Sequence, residues 1–468
     1  MSTSSEDRID FDLIVIGAGP VGENVADYAT RGGLRTALIE SELVGGECSY
    51  WACMPSKALL RSGHALRAAR RVPGAREAIT AGLDVEAVFA RRDAFTSDWD
   101  DHGQEEWVAS AGIELIRGHG RIVGPARVDV DGREYAARAV AIATGSVPVV
   151  PDVPGLADAA PWGTREATSA DRVPPRLIVL GGGVAGTEMA FAYASFGSRV
   201  TVLARRTLLG GEEPFVGERI AAALTDEGVD VRLGATASRV ERGSDGLVRA
   251  TLSDGEEIVA EEILVATGRR PATDDLGLDA VDVDAAPTVD DTMLVTGTDW
   301  LYAVGDVNSR ALLTHQGKYQ ARAAGSVIAA RLNGATVSDQ PWGAHVATAD
   351  HGAVPRVVFS DPEVAAAGRT EADARSAGLN VRTAEFDLGS IAGASLHADG
   401  YAGRAKLVID ADRRVVVGAA FVGQDASELV HAATIAIVGE VPLERLWHAV
   451  PAYPTISEVW LRLLETFG

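Results

Sequence analysis

Two stretches of the chain repeat one order of apolar and polar positions. Phe11-Asp-Leu-Ile-Val-Ile16 is almost continuously apolar, the pattern of a strand buried on both faces of a parallel sheet. It is followed by Gly17-Ala-Gly19-Pro-Val-Gly22, a helix-like stretch, and a second strand, Thr36-Ala-Leu-Ile39, that ends at Glu40. The order returns in Arg176-Leu-Ile-Val-Leu180, Gly181-Gly-Gly183-Val-Ala-Gly186, an Ala-rich helix and Arg199-Val-Thr-Val-Leu203. Each copy leads to a later apolar strand ending in Ala-Thr-Gly, at Ala143-Thr144-Gly145 and Ala266-Thr267-Gly268. A proline stands three residues beyond each, at Pro148 and Pro271.

A lone GxGxxG carries little information. Here both copies follow a strand, open a helix and precede a second strand at the expected distance, which predicts two Rossmann-like dinucleotide-binding domains. The first glycine allows the tight turn, the second admits a pyrophosphate to the backbone, and the helix N-terminus favours its negative charge. Pro148 to Pro154 reads as a hinge between the copies, and Gly268 to Pro271 as the return. Beyond about residue 346 strand-like segments alternate with helices, including Pro355-Arg-Val-Val-Phe359, Ala405-Lys-Leu-Val-Ile409 and Val415-Val-Val-Gly-Ala-Ala-Phe421. The expected organisation is α/β: segments 1–150 and 273–345 for the first nucleotide domain, 151–272 for the second, and 346–468 for an α+β domain.

The two nucleotide sites differ at the second strand. Glu40 can accept a hydrogen bond from a ribose 2′-hydroxyl. The second copy has Ala204 there, followed by Arg205 and Arg206, which can pair with a 2′-phosphate. The second site is therefore expected to prefer NADPH, with NADH possible.

Composition narrows the class. The chain has 468 residues, 47% of them hydrophobic, and no apolar run long enough to span a bilayer. Its net charge of −23 argues against nucleic acid or anionic membrane as partner. The start, Met1 to Arg8, is polar and acidic, unlike a secretion signal, so a cytoplasmic location is expected. No metal site is expected.

The only two cysteines lie in Gly45-Gly46-Glu47-Cys48-Ser49-Tyr50-Trp51-Ala52-Cys53-Met54-Pro55-Ser56-Lys57, at the expected start of a helix. A pair this close can form a disulfide at small entropic cost and cycle between dithiol and disulfide beside an electron donor. Lys57 is one of only three lysines among 43 basic residues, the others being Lys318 and Lys406. Its retention so near Cys53 suggests that a compact ammonium is wanted there.

These residues resemble the FAD-dependent pyridine nucleotide–disulfide oxidoreductases, the group that holds dihydrolipoamide dehydrogenase, glutathione reductase and mercuric reductase. The likeness covers the Gly-Gly-x-Cys-x4-Cys-x-Pro-Ser-Lys segment, both glycine motifs, Leu301-Tyr-Ala-Val-Gly305-Asp306 and Phe359-Ser-Asp-Pro-Glu-Val364. It implies FAD in the first site, contacted from Gly17, Gly19, Gly22, Glu40, Gly46, Lys57, His119, Thr144, Gly145, Thr314 and Asp306, the last on the ribityl chain. It implies the nicotinamide nucleotide at Gly181, Gly183, Gly186, Arg205, Arg206 and Gly268. Glu188 would pair with Lys57, Cys53 would face the flavin as a thiolate, and Cys48 would meet the substrate. A homodimer completed by the C-terminal domain is implied as well.

The chain also departs from the group. Its disulfide reductases carry a His-Pro-Thr-x-x-Glu segment whose histidine serves the interchange thiol; here Tyr453-Pro-Thr-Ile-Ser-Glu458 stands in its place. Tyrosine is a poor proton acceptor at neutral pH. Mercuric reductases share that tyrosine but add a C-terminal cysteine pair, and no cysteine follows Cys53. Glu47, Tyr50 and Ala52 replace the usual Thr, Asn and Gly, and Glu47 would bring a negative charge toward the FAD pyrophosphate. Cys48, Cys53, Lys57, Glu188, Tyr453 and Glu458 are the catalytic candidates. The expected reaction passes electrons from NADPH through flavin to the cysteine pair and on to a small disulfide, or from a dithiol in reverse. A quinone or metal-ion acceptor, or a dihydrolipoyl dehydrogenase role in a multienzyme complex, are the alternatives.

Overall fold

A computed structural model describes residues 9–467; the polar start read against a secretion signal and the terminal Gly468 lie outside them. The chain forms two compact units. Among the described residues, one comprises 9–55, 93–147 and 269–350, the other 56–92, 148–268 and 351–467.

In the first unit parallel strands run in the order Glu114–Arg117, Thr36–Glu40, Phe11–Ile16, Arg133–Ile142 and Leu301–Ala303. Both faces of the central strand are buried: Leu13 and Val15 join one core cluster, Ile14 and Ile16 another. Successive side chains point to opposite faces, so a doubly covered strand must be apolar at every position. Arg133–Ile142 serves two sheets. Its first half pairs antiparallel with Arg127–Val130 and exposes Arg133 and Glu134, while the end that pairs with Phe11–Ile16 is buried from Ala139 to Ile142.

The second unit repeats the theme with Asp230–Leu233, Arg199–Ala204, Arg176–Leu180 and Glu262–Val265 in parallel order. Leu177 and Val179 pack to one side of that sheet, Ile178 and Leu180 to the other. The α+β part is a five-stranded antiparallel sheet in the order Pro355–Val358, Glu363–Gly368, Val415–Gly423, Arg404–Asp410 and Val381–Asp387, with helices Val430–Val438 and Val459–Phe467 packed on it. The fold class is the expected one. Among the described residues, no helix is long and apolar enough to cross a membrane.

Within this unit one buried cation ties the parallel-sheet part to the antiparallel sheet. Lys406, 5% exposed, donates to Glu213 at 2.8 Å and to Glu371 at 2.6 Å, and Glu213 is itself 4% exposed. Removing one partner of such a pair strands the other charge, at a cost of about 3–5 kcal/mol. Lys406→Met is therefore expected to destabilise the second unit by about that amount in chemical denaturation; a change below about 1 kcal/mol would mean that water reaches Glu213.

Candidate active site

Backbone sterics force two of the three glycines in each motif. Gly17 and Gly181 have φ of +99° and +119°, and a Cβ on them would stand 2.6 Å and 2.2 Å from the carbonyl oxygens of Ala143 and Ala266. A Cβ on Gly22 or Gly186 would run into the carbonyl oxygen of Gly17 or Gly181. The middle glycine behaves differently. A Cβ on Gly19 would find only the Gly46 Cα, at 4.0 Å, and one on Gly183 would find nothing within 4 Å. The chain does not need glycine at those positions, so the space fits a ligand that must approach the backbone, as a pyrophosphate does. Gly46 closes against the first loop, where its own Cβ would lie 2.8 Å from the Gly19 Cα. The buried Thr144 hydroxyl, which follows Ala143 beside that loop, has no hydrogen-bond partner among the described residues. Both observations suit a bound dinucleotide.

Glu40 also shapes the first loop, accepting from Ala18 N at 2.8 Å and Glu42 N at 2.7 Å. Asp306 accepts from the Ser146 hydroxyl at 2.7 Å, and burial pushes its carboxyl up. Ser146 in turn accepts from Arg269 Nε at 2.7 Å, and Arg269 Nη2 lies 3.6 Å from Glu47 Oε2. The charge on Glu47, unexplained by the sequence, is thus answered by an arginine 222 positions away (269 minus 47). His119 stands apart from this group, exposed beside Asp275.

The cysteine segment is not one helix start but two. Cys48 lies in the short helix Gly46–Tyr50, and Cys53 opens the helix Cys53–Arg70. Trp51 N and Ala52 N both donate to the Glu47 carbonyl, which ends the first helix. Pro55 sits in the first turn of the second, where a missing N–H costs nothing. A clasp holds the segment: Trp99 Nε1 donates to the Tyr50 carbonyl at 3.1 Å, and Asp101 accepts from Val44 N at 2.7 Å. Trp99 reaches it through three successive left-handed residues, Ser97, Asp98 and Trp99, a strained turn that propensity does not forecast.

The two thiols are not equivalent. Cys53 Sγ is 3.3 Å from the Thr314 hydroxyl. The Cys48 thiol is pushed up, first by its hydrogen bond to Cys53, then by burial and by the charge on Cys53.

One turn beyond Cys53 on the same helix, Lys57 Nζ donates to Glu188 Oε2 at 2.8 Å. Glu188 is 2% exposed, and its other oxygen accepts from Phe359 N at 3.0 Å, while the Lys57 ammonium lies 5.0 Å from the Phe359 ring centroid. Arg205 and Arg206 are exposed at the end of Arg199–Ala204, with no ion-pair partner among the described residues. Gly145 and Gly268 both adopt positive φ. Tyr453 is 77% exposed and has no hydrogen-bond partner among the described residues. Glu458 is buried and pairs with Arg462 rather than with Tyr453. Sequence reasoning missed Arg269 and Trp99; Arg269, in Gly268-Arg-Arg-Pro271, lies beside a recognised motif, whereas Trp99 does not.

The profile of the pyridine nucleotide-disulphide oxidoreductases matches residues 11–326, and that of their dimerisation domain residues 354–463. The chain is 33% identical to a mercuric reductase from Shigella flexneri over 471 residues, covering 97% of this chain and 80% of that protein. It is 33% identical to a dihydrolipoyl dehydrogenase from Thermus scotoductus over 465 residues, covering 97% of each. Among solved structures it resembles the HOCl-induced flavoprotein disulfide reductase RclA from Escherichia coli, with a TM-score of 0.83, 25% identity, and coverage of 98% of this chain and 100% of that one. The chain belongs to the pyridine nucleotide-disulphide oxidoreductases, a family that is FAD-dependent and uses NAD(P)H.

Proposed function

We propose that the protein takes electrons from NADPH and passes them, through FAD, to the Cys48–Cys53 pair and on to a small disulfide, or runs from a dithiol in reverse. The observation that carries this reading is the unequal surroundings of the two thiols: Cys53 Sγ lies 3.3 Å from the Thr314 hydroxyl, while the Cys48 thiol is pushed up by its hydrogen bond to Cys53 and by burial. That is the division of labour a dithiol needs if one sulfur is to hold charge and the other to exchange with substrate.

FAD supplies hydride acceptance and release when bound. The residues that would hold it are Gly17, Gly19, Gly22, Glu40, Gly46, Thr144, Gly145 and Asp306. Lys57, held 2.8 Å from the buried carboxylate of Glu188, would favour the anionic reduced ring. The nucleotide would lie on Gly181, Gly183, Gly186 and Gly268, and the unpaired Arg205 and Arg206 favour a 2′-phosphate. A homodimer is supported by the dimerisation domain and by exposed apolar side chains within it, among them Leu396, Ile435, Trp447 and Val450.

A second reading, a quinone or metal ion as acceptor, is favoured by Tyr453. It replaces the expected histidine and, among the described residues, has no hydrogen-bond partner to poise it as a base. Mercuric reductases among the relatives lend that reading further support.

NADPH reduction of the purified holoenzyme is expected to produce long-wavelength thiolate-to-flavin absorbance, followed by reoxidation with lipoamide or another low-molecular-weight disulfide. If the band is missing and Cys53→Ser turns over normally with quinones or oxygen, the disulfide reading fails. For the nucleotide, Arg205→Glu is expected to lower the NADPH-to-NADH ratio of kcat/KM about tenfold or more, the worth of one charge-assisted phosphate contact; an unchanged ratio removes Arg205 from the site. Tyr453→Phe is expected to leave disulfide turnover within about twofold at every pH, whereas loss of about a hundredfold would make Tyr453 the acid/base.

A further inference from the structure

Cys48 sits on a helix of five residues, Gly46–Tyr50, too short to hold itself together. The rest of its unit fastens it at both ends. Before its start, Val44 N donates to Asp101 Oδ2 at 2.7 Å, and Asp101 is held in turn by Arg117 Nη2 at 2.5 Å. Arg117 also donates through Nη1 to the Glu42 carbonyl at 2.6 Å. At its end, Trp99 Nε1 donates to the Tyr50 carbonyl at 3.1 Å. Tyr50 joins the two ends. Its hydroxyl donates to the Val44 carbonyl at 3.1 Å, and its ring lies so near Gly45 that a Cβ there would stand 3.0 Å from Cε2.

The turn that supplies Trp99 is strained. Ser97, Asp98 and Trp99 have φ of +50°, +52° and +58°, and Ser97 and Asp98 are exposed. Such backbone persists only where surrounding contacts over-determine it. The two exposed residues gain no apolar burial from their left-handed conformation. What the turn delivers is the indole N–H, brought to the carbonyl that ends the Cys48 helix. Cys53 is held separately, at the head of the 18-residue helix Cys53–Arg70 and 3.3 Å from the Thr314 hydroxyl. Of the two sulfurs, it is therefore Cys48 whose placement depends on the clasp.

We propose that Trp99, Tyr50 and Asp101 are positioning residues that hold Cys48 ready to close onto Cys53, and so make the pair a stronger reductant. The proposal rests on the reading of the pair as the redox centre. In one half of the cycle NADPH and one proton supply the two electrons and two protons that turn the Cys48–Cys53 bond into two thiols. In the other half the bond re-forms, and both electrons and both protons pass to a small disulfide, which becomes two thiols. The disulfide restrains Cys48 by itself, whereas the dithiol relies on the clasp. Loosening the clasp therefore frees the dithiol more than the disulfide and favours the dithiol. A tight clasp does the reverse: it raises the effective concentration of one sulfur at the other and drives the electrons onward.

Equilibration of the pair with a thiol buffer tests this without any turnover. The holoenzyme is brought to equilibrium, without oxygen and at neutral pH, in mixtures of reduced and oxidised dithiothreitol and then quenched with acid. The oxidised fraction of Cys48 and Cys53 is read by alkylation and peptide mass spectrometry. Trp99→Phe, which keeps an aromatic ring but loses the Nε1 donor, is expected to shift the equilibrium about fivefold toward the dithiol, a potential about 20 mV less negative. Tyr50→Phe, which loses only the hydroxyl, is expected to shift it in the same direction by a similar factor. Urea unfolding of the same variants separates positioning from stability, because a merely structural role would lower stability and leave the oxidised fraction where it was. A shift below about twofold in either folded variant, or a shift toward the disulfide, overturns the proposal. The two substitutions lie on different segments, so misfolding of one leaves the other to decide. Failure of the disulfide reading would show instead in the Cys53→Ser turnover, which this equilibrium does not use.

Discussion

A carboxylate removed from water must find a cation or give up its charge, and the chemistry-bearing parts of this chain are arranged around that constraint. Glu188, Glu213 and Glu23 are all nearly buried, and each has a lysine within its field. The chain uses arginine almost everywhere else, so the three lysines mark the places where a compact point charge is required. The three are not alike. Lys406 bonds two carboxylates, Lys57 is shared between a carboxylate and an aromatic face, and Glu23 keeps an oxygen with no hydrogen-bond partner among the described residues.

What the sequence made legible is what local sterics dictate. A glycine whose Cβ would strike a carbonyl oxygen cannot be replaced, so Gly17, Gly22, Gly181 and Gly186 stand in the chain as a readable signature of strand, turn and helix. Continuous apolar runs were equally plain, since a strand covered on both faces has no position left for polar residues. The Glu188–Lys57 contact was anticipated through family likeness, not through spacing, because 131 positions separate the two residues.

The parts that escaped notice depend on contacts remote in the chain or on strained backbone. Nothing near Glu47 announces Arg269, and nothing in Phe95-Thr-Ser-Asp-Trp99 announces three left-handed residues that carry Trp99 to the Tyr50 carbonyl. Glu23, 9% exposed, lies on a helix that Thr314–Leu332, remote in the chain, approaches closely at Gly317 and Gly325. The break between Cys48 and Cys53 was missed for a related reason: both residues can be helical, and it is the shared Glu47 carbonyl that divides them.

The same contrast explains why the electron path is better determined than its end point. The glycine loops and the buried pairs leave little freedom: altering them strands a charge or creates a clash. Tyr453 and Val450 are exposed and unconstrained by the rest of the chain, so substitution there costs the fold almost nothing. Relatives that differ in acceptor, a mercuric reductase and a dihydrolipoyl dehydrogenase, are each 33% identical to this chain, as expected if acceptor choice lies in few and weakly constrained positions. A chain that loses its histidine at such a position keeps its fold and its cofactor sites.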